Sequence, residues 1–325
     1  MKTRSIIAAG LISLGMAGLQ CAASAQGSYP ERPVRIVVGF PAGASTDVAA
    51  RAVAQKMSDI AGQQFVVENR PGASSNIATE QVARAPADGY TLLVGTIANT
   101  INPSFQASLP FDFTKDFAPV GMIGSVPNFL VVHPSMKASS MAELIAEAKS
   151  RPGQITYASS GNGTAPHLSG ELFASMAGIK LVHVPYRGSS PAVTDLLAGQ
   201  VQAMFSPAST VLPHIRSGKL RALATTGASR SAAAPDLATV SELGLAGFET
   251  SVWFGLVAPA NTPADVVRRL SELLGAALDD PQIRQQFAAQ AIDTVKAGPG
   301  DFSRYIASET RKWAQVVKDA GIKPQ

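Results

Sequence analysis

One cysteine, Cys21, occurs in 325 residues, and only 6% of the chain is aromatic and 15% charged. A single cysteine excludes a disulfide framework within the chain and a multi-thiolate metal cage. The four histidines, His133, His167, His183 and His214, are scattered and form no H-E-x-x-H or similar pair, so no metal or other cofactor is expected. There is no G-x-S-x-G elbow, no P-loop and no G-x-G-x-x-G after a strand. No basic stripe with interleaved aromatics occurs, which argues against a nucleic-acid partner. Beyond the first 25 residues no run is apolar enough to span a bilayer.

Those first residues have the layout of a secretory signal. Lys2 and Arg4 supply the charge, residues 6–19 the apolar stretch, and Ala23-Ser24-Ala25 an A-x-A site. Cleavage after Ala25 and a periplasmic location are the expectation. A lipoprotein anchored at Cys21 is the alternative, and the bulky Gln20 directly before it argues against that. The mature chain is then residues 26–325, without cysteine, and must rely on its hydrophobic core. Its length suggests two domains. Removing Lys2 and Arg4 from the 27 basic residues leaves 25 against 23 acidic ones, a net charge of +2.

Strands are predicted at 34–40, 65–68, 91–95, 129–133, 155–158, 181–185, 201–205, 220–225 and 254–258. Helices are predicted near 76–85, 141–151, 165–177 and 191–198, and through the C-terminal part from Thr262-Pro263 and Asp280-Pro281 start signals. The last helix carries Phe302, Ile306, Trp313, Val317 and Ala320 as a core stripe. The alternation argues α/β with mostly parallel sheets. Two extended stretches, 123–132 and 250–257, are candidate crossings between lobes. They would put 26–125 and 252–325 in lobe one and 126–251 in lobe two, with the ligand site between.

Two strand–loop–helix turns carry the chemistry. In the first, residues 34–40 feed through Pro41 to Ser45 into a helix capped by Thr46 or Asp47. The second runs Ser159-Ser160-Gly161-Asn162-Gly163-Thr164 into a helix with Pro166 in its first turn. First-turn N–H groups lack intrahelical partners and sit at the positive end of the helix dipole, so each turn is an anion site without a catalytic group. Arg187, beyond a strand that ends at Pro185, suits a bidentate carboxylate clamp. Tyr186 offers a ring face or a hydroxyl, and Ser206 and Trp253 are further candidates. Ser160 with His167 or His183 would be the only nucleophile–base pairing, and no orienting acid accompanies it.

The segments YPERPVRIVVGFPAGASTDVAAR, VVENRPGASSNIATEQVARAPADGYTLLVG, YASSGNGTAPHLSGELF, HVPYRGSSPAVTDLLAGQV and PHIRSGKLRALA, in this order, resemble the Bug/TctC family of periplasmic solute-binding proteins of tripartite tricarboxylate transporters. The resemblance implies an α/β, two-lobe type II periplasmic-binding-protein fold with two crossing strands, and a monomeric binding protein rather than an enzyme. It implies a small carboxylate as ligand and the transmembrane transporter subunits as partner, with a sensory receptor as the alternative output. Carried onto this chain, Phe40, Ala42, Gly43, Ser45, Thr46 and Asp47 form the lobe-one loop, with Thr96 and Asn99 beside it. Ser159, Ser160, Gly161, Gly163, Thr164, Tyr186 and Arg187 form the lobe-two side. Ala44 and Ser74-Ser75 stand where the family often has glycine, and Ser206 where many members have aspartate. Losing that acid favours a carboxylic acid without an amino group.

Overall fold

The V-R-I-V-V run is buried at four of its five positions and forms a central strand, as a β-branched run bounded by small residues should. The computed structural model describes residues 29–106, 108–319 and 321, so the expected signal segment with Cys21, and Ala320, lie outside the described residues. In chain order the elements are β1 (Val34–Val38), α1 (Ser45–Ala61), β2 (Phe65–Asn69), α2 (Asn76–Ala83), β3 (Thr91–Thr96), α3 (Ile97–Phe105), β4 (Phe117–Val132), α4 (Met141–Ser150), β5 (Thr156–Ser159) and α5 (Ala165–Ala177). They continue with β6 (Val182–Pro185), α6 (Ser189–Leu197), β7 (Ala203–Pro207), α7 (Ala208–Arg216), β8 (Arg221–Thr225), β9 (Ser251–Pro259), α8 (Ala264–Asp279), α9 (Pro281–Ala289), β10 (Asp293–Thr294) and α10 (Pro299–Asp319).

The strands form two sheet halves that share β4. The first half runs β2-β1-β3-β9-β4 with β10 on β4, and the second runs β6-β5-β7-β4-β8. Residues 117–127 of β4 pair with β9, while Asn128 to Val132 pair with β7 and, from Phe129, with β8. One strand thus carries the chain from one half to the other. The prediction of mostly parallel sheets is corrected: among the described residues four ladders are parallel and five antiparallel. Every antiparallel ladder involves β4 or β9, the strands that run against their neighbours. Their close approach needs Gly255, where a Cβ would stand 2.7 Å from Gly121 O and 2.5 Å from the Phe302 ring.

The first half is covered by α1, α8 and α9 on one face and by α2, α3 and α10 on the other. The second half is covered by α6 and α7 and, opposite, by α4 and α5. Sequence patterning passes over α3 and α7 because each holds an interior proline, Pro103 and Pro213. The start of β4, before residue 123, escapes for a similar reason, since Pro119 and Gly121 read as loop. Of the two predicted C-terminal helix starts, one changes. The N-cap of α8 is Pro263, and the Thr262 hydroxyl donates to Pro259 O at 2.8 Å instead. The Asp280-Pro281 start holds, with the carboxylate accepting from Gln282 N at 2.8 Å.

Candidate functional site

β1 has β2 on one side and β3 on the other, both parallel to it, so the chain reverses its winding there. The carboxyl ends of β1 and β3 therefore border a crevice, the usual ligand position in an open α/β sheet. The loop after β1 enters α1 through Ala44, the N-cap, whose φ of −66° and ψ of 154° suit any L-residue. The alanine in place of glycine costs nothing, because the left-handed position falls on Gly43 at φ +84°. Neither Thr46 nor Asp47 caps the helix, in contrast to the sequence expectation. Asp47 instead reaches back from the first turn and accepts the Gly43 N–H at 2.9 Å.

The Asp47 carboxylate is buried and also accepts from Asn69 Nδ2 at 2.8 Å and pairs with Arg51 at 3.0 Å. Burial raises its pKa, but the Gly43 N–H, Asn69 and Arg51 outweigh that and hold it below the usual carboxylate range. Asn69 further donates to Phe40 O at 3.0 Å, so the loop is moulded by groups from α1 and β2. The first helical backbone bond runs from Val48 N to Ala44 O, which leaves the amides of Ser45, Thr46 and Asp47 as the orphan first-turn donors. The free donors of this turn are helix amides, and the Gly43 amide is spent inside the loop.

Thr96 and Asn99 act behind this loop. Asn99 is fully buried; its Oδ1 accepts Thr96 N–H at 2.8 Å and its Nδ2 donates to Thr79 Oγ1 at 2.7 Å. Thr79 in turn donates to Ser75 O at 2.8 Å, and Asn102 Nδ2 donates to Ser74 O at 2.9 Å. These bonds hold Ala73, Ser74 and Ser75 in left-handed conformations, with φ of 45°, 52° and 74°. Ser75 closes on β1: a Cβ at Gly39 would lie 1.9 Å from Ser75 Oγ. Ser75 Oγ, Asn76 Nδ2 and Thr96 Oγ1 are buried without a protein partner at this end of the sheet. Ser75 and Asn69 were not among the sequence candidates; the run of small residues after β2 was their only local signal.

The second turn repeats the design. The first bond of α5 runs from Leu168 N to Thr164 O at 3.0 Å, leaving Ala165 and His167 as orphan amides, since Pro166 has none. Gly161 and Gly163, at φ +130° and +72°, shape the loop. Their amides are again turned inward: Gly161 N–H donates to Ser159 Oγ and Gly163 N–H to His167 Nδ1, each at 3.1 Å. Thr164 Oγ1 donates to Gly161 O at 2.7 Å. Ser160, half-buried, has no histidine beside it among the described residues; Ser159 Oγ is the hydroxyl that meets His183 Nε2, at 2.6 Å, and Ser159 is fully buried.

The remaining candidates separate. Arg187 is exposed, with no carboxylate within ion-pair distance among the described residues. The Tyr186 hydroxyl donates to Asp195 Oδ2 at 2.8 Å, and burial and that carboxylate push its pKa up to about 12, so its ring face is what stays available. Ser206 lies within β7 rather than after it, opposite Phe129, fully buried and with its hydroxyl unpartnered. Trp253 is fully buried in the core, its indole N–H donating to Glu309 Oε2 at 3.2 Å. A separate cavity of about 520 Å³ opens between α7 and β8, where Arg221 donates to Met136 O and Ala138 O.

The second turn lies against α3. A Cβ at Gly163 would lie 3.2 Å from the ring of Phe105, at the end of α3, and the start of α5 packs with α3 and α10. Two helix N-termini with five orphan amides and an arginine unpaired among the described residues offer donors that suit an anion.

Residues 49–322 match the family described as tripartite tricarboxylate transporter family receptor, TctC. The chain is 40% identical to BugT of Bordetella pertussis over 314 residues, 96% of each chain. Among solved structures, R. palustris Rpa4515 with adipate is 37% identical, with a TM-score of 0.79 over 91% of this chain and all of that one. MatC from Rhodopseudomonas palustris with bound malate is 29% identical, with a TM-score of 0.74 over 89% of this chain and all of that one.

Proposed function

The chain belongs to the tripartite tricarboxylate transporter receptor family of periplasmic solute-binding proteins, and on that premise we propose that it captures a small carboxylic acid and delivers it to the membrane subunits of such a transporter. It is a binding protein, not an enzyme. The observation that carries the reading is the pair of helix N-termini, α1 and α5, whose orphan amides supply a carboxylate with fixed donors on two sides. We assign residues 26–125 and 252–325 to lobe one and 126–251 to lobe two. The passage of β4 between the sheet halves after Pro127 and the start of β9 at Ser251 support that division. Closure of the lobes would enclose the solute and present a recognisable surface to the permease.

The ligand we favour is a dicarboxylate or an aromatic acid rather than an amino acid. Ser206 supplies a neutral hydroxyl where an acid would repel a second carboxylate or pair with an ammonium group. Adipate and malate, bound by the two structural relatives, are plain dicarboxylates. A thermal-shift screen of mono-, di- and tricarboxylates, aromatic acids and acidic amino acids tests this. An acid at a hundred times its dissociation constant should add about 2.7 kcal/mol of stability. Shifts from amino acids with none from dicarboxylates would sink the Ser206 argument. Arg187→Ala should weaken binding by about 2 kcal/mol or more if the guanidinium makes a buried charge-assisted bond in the closed form; unchanged affinity would make it an ordinary surface arginine.

A further inference from the structure

Behind the lobe-two loop, two imidazoles share one stack. His167 of α5 and His183 of β6 have ring centroids 3.9 Å apart and planes 19° apart, and Tyr157 extends the stack beyond His183 at 5.0 Å. Both inward-turned loop amides end on it: Gly163 N–H on His167 Nδ1, and Gly161 N–H on Ser159 Oγ, which itself contacts His183 Nε2. On its other side Gly163 meets the Phe105 ring of α3. The loop is therefore held between an imidazole stack in its own lobe and an aromatic ring from the other.

We propose that the His167–His183 stack positions the lobe-two loop, clamping Gly163 against Phe105 only while both rings are neutral, so that acidification loosens the loop and the grip between the lobes. Its consequence, release of the bound acid, rests on the carboxylate reading above; the loosening itself does not.

The chemistry is that of one acceptor. Nδ1 accepts only when unprotonated, and an imidazolium donates from both nitrogens. Protonating His167 would set one N–H against the Gly163 N–H, and protonating both rings would put two cations in one stack. On α5, Glu171 Oε1 lies 3.8 Å from His167 Nε2, beyond hydrogen-bond reach, and accepts the Tyr157 hydroxyl at 2.6 Å. Ile97 and Ile101 of α3 and Ile306 and Val317 of α10 share one hydrophobic cluster with Ala165 and Leu168 at the start of α5. The titratable groups of α10 nearest that cluster are Tyr305 and Glu309, the latter taken by two indole N–H groups.

Burial, then the neighbouring ring, pulls His167 from its ordinary 6.5 down to about 3, and burial pulls His183 down to about 4. Protons therefore bind the loosened loop, where the rings are hydrated, more tightly than the clamped one. The loosened form gains below about pH 6.5, by up to about tenfold per histidine per pH unit, until the clamped rings themselves titrate.

Amide hydrogen exchange on the ligand-free, full-length protein tests the proposal. After correction for intrinsic rates, protection of residues 159–168 should fall at least about tenfold between about pH 7 and pH 5, while the β1–β3 segment holds. The variant carrying His167→Asn and His183→Gln keeps a hydrogen-bonding atom near each ring nitrogen without titrating, and should show no such fall. An equal fall in the variant, or none in the wild type, overturns the proposal. Should the variant fail to fold, imidazole nitrogen spectra of the wild type decide: both rings neutral at about pH 6, with His167 Nδ1 unprotonated, is the expected result. An imidazolium signal there overturns it. No ligand is involved, so an empty carboxylate screen would overturn the binding reading and leave this one standing.

Discussion

Replacing Glu309 with alanine is expected to cost about 3–5 kcal/mol of folding stability, the range for removing one member of a buried charged cluster. Glu309 is 3% exposed and takes the indole N–H groups of Trp253 at 3.2 Å and Trp313 at 3.0 Å on one oxygen. Lys312 closes an ion pair with the other oxygen and donates to Glu249 O at 3.1 Å, at the approach to β9. One carboxylate thus ties α10 to β9 and to the segment that enters it. Alanine would leave two buried indole donors without their acceptor and would remove the ion-pair partner of Lys312, whose ammonium keeps the Glu249 carbonyl. Glu309→Gln should lose much less, because its amide oxygen still accepts from the indoles. Urea unfolding of both variants measures the difference, and an alanine variant within about 1 kcal/mol of wild type would show that the cluster contributes little.

The second large effect is expected at Asp47. Asp47→Ala removes the acceptor of Gly43 N–H, Asn69 Nδ2 and Arg51 together. At about 1.5–3 kcal/mol for a hydrogen bond to a charged group, and with the partners overlapping, a loss of about 3 kcal/mol is expected. Carboxylate affinity should fall with it, because the loop that leads into α1 loses its mould while the first-turn amides remain. The pH dependence has a definite sign. The carboxyl titrates lower in the folded protein than in the unfolded chain, so its contribution is complete above about pH 4 and disappears as the pH falls through the folded value. Thermal unfolding from neutral pH into acid should therefore show a wild-type loss in that window which Asp47→Ala lacks. Parallel curves would mean that Asp47 carries no linked proton.

These acid effects occupy different windows. The Asp47 contribution fades below about pH 4, whereas the histidine stack acts between about pH 6.5 and 4. Exchange at 159–168 and the acid loss that Asp47→Ala lacks therefore report on separate groups.

Much of the site could be read locally. A strand that feeds through small residues into a helix is written in consecutive residues, and the free first-turn amides of α1 and α5 follow from helix geometry alone. The Asp280 cap and the Phe302–Ile306–Trp313–Val317 stripe belong to the same class, and so do the nine strand positions, because periods of two and 3.6 are properties of short segments. The family resemblance rests on such segments in order, and the matching relatives bear it out.

The tertiary structure decided everything that depends on residues far apart in the chain. Asp47, expected as a cap, is instead held by Asn69 and Arg51, and the Trp253 indole is held by Glu309, 56 residues away. The proline-bearing helices α3 and α7 and the long strand β4 form because packing overrides poor local propensity. The orientation of the loop amides was decided the same way. Gly43, Gly161 and Gly163 spend their N–H groups inward because a carboxylate, a hydroxyl and an imidazole are folded behind them. By itself the sequence determined that two strands feed through small residues into helices with free first-turn amides, since backbone geometry needs no distant partner. Which donors stay free at those sites, and what holds each loop in place, only the fold could decide, because hydrogen-bond partners are allotted by three-dimensional neighbourhood.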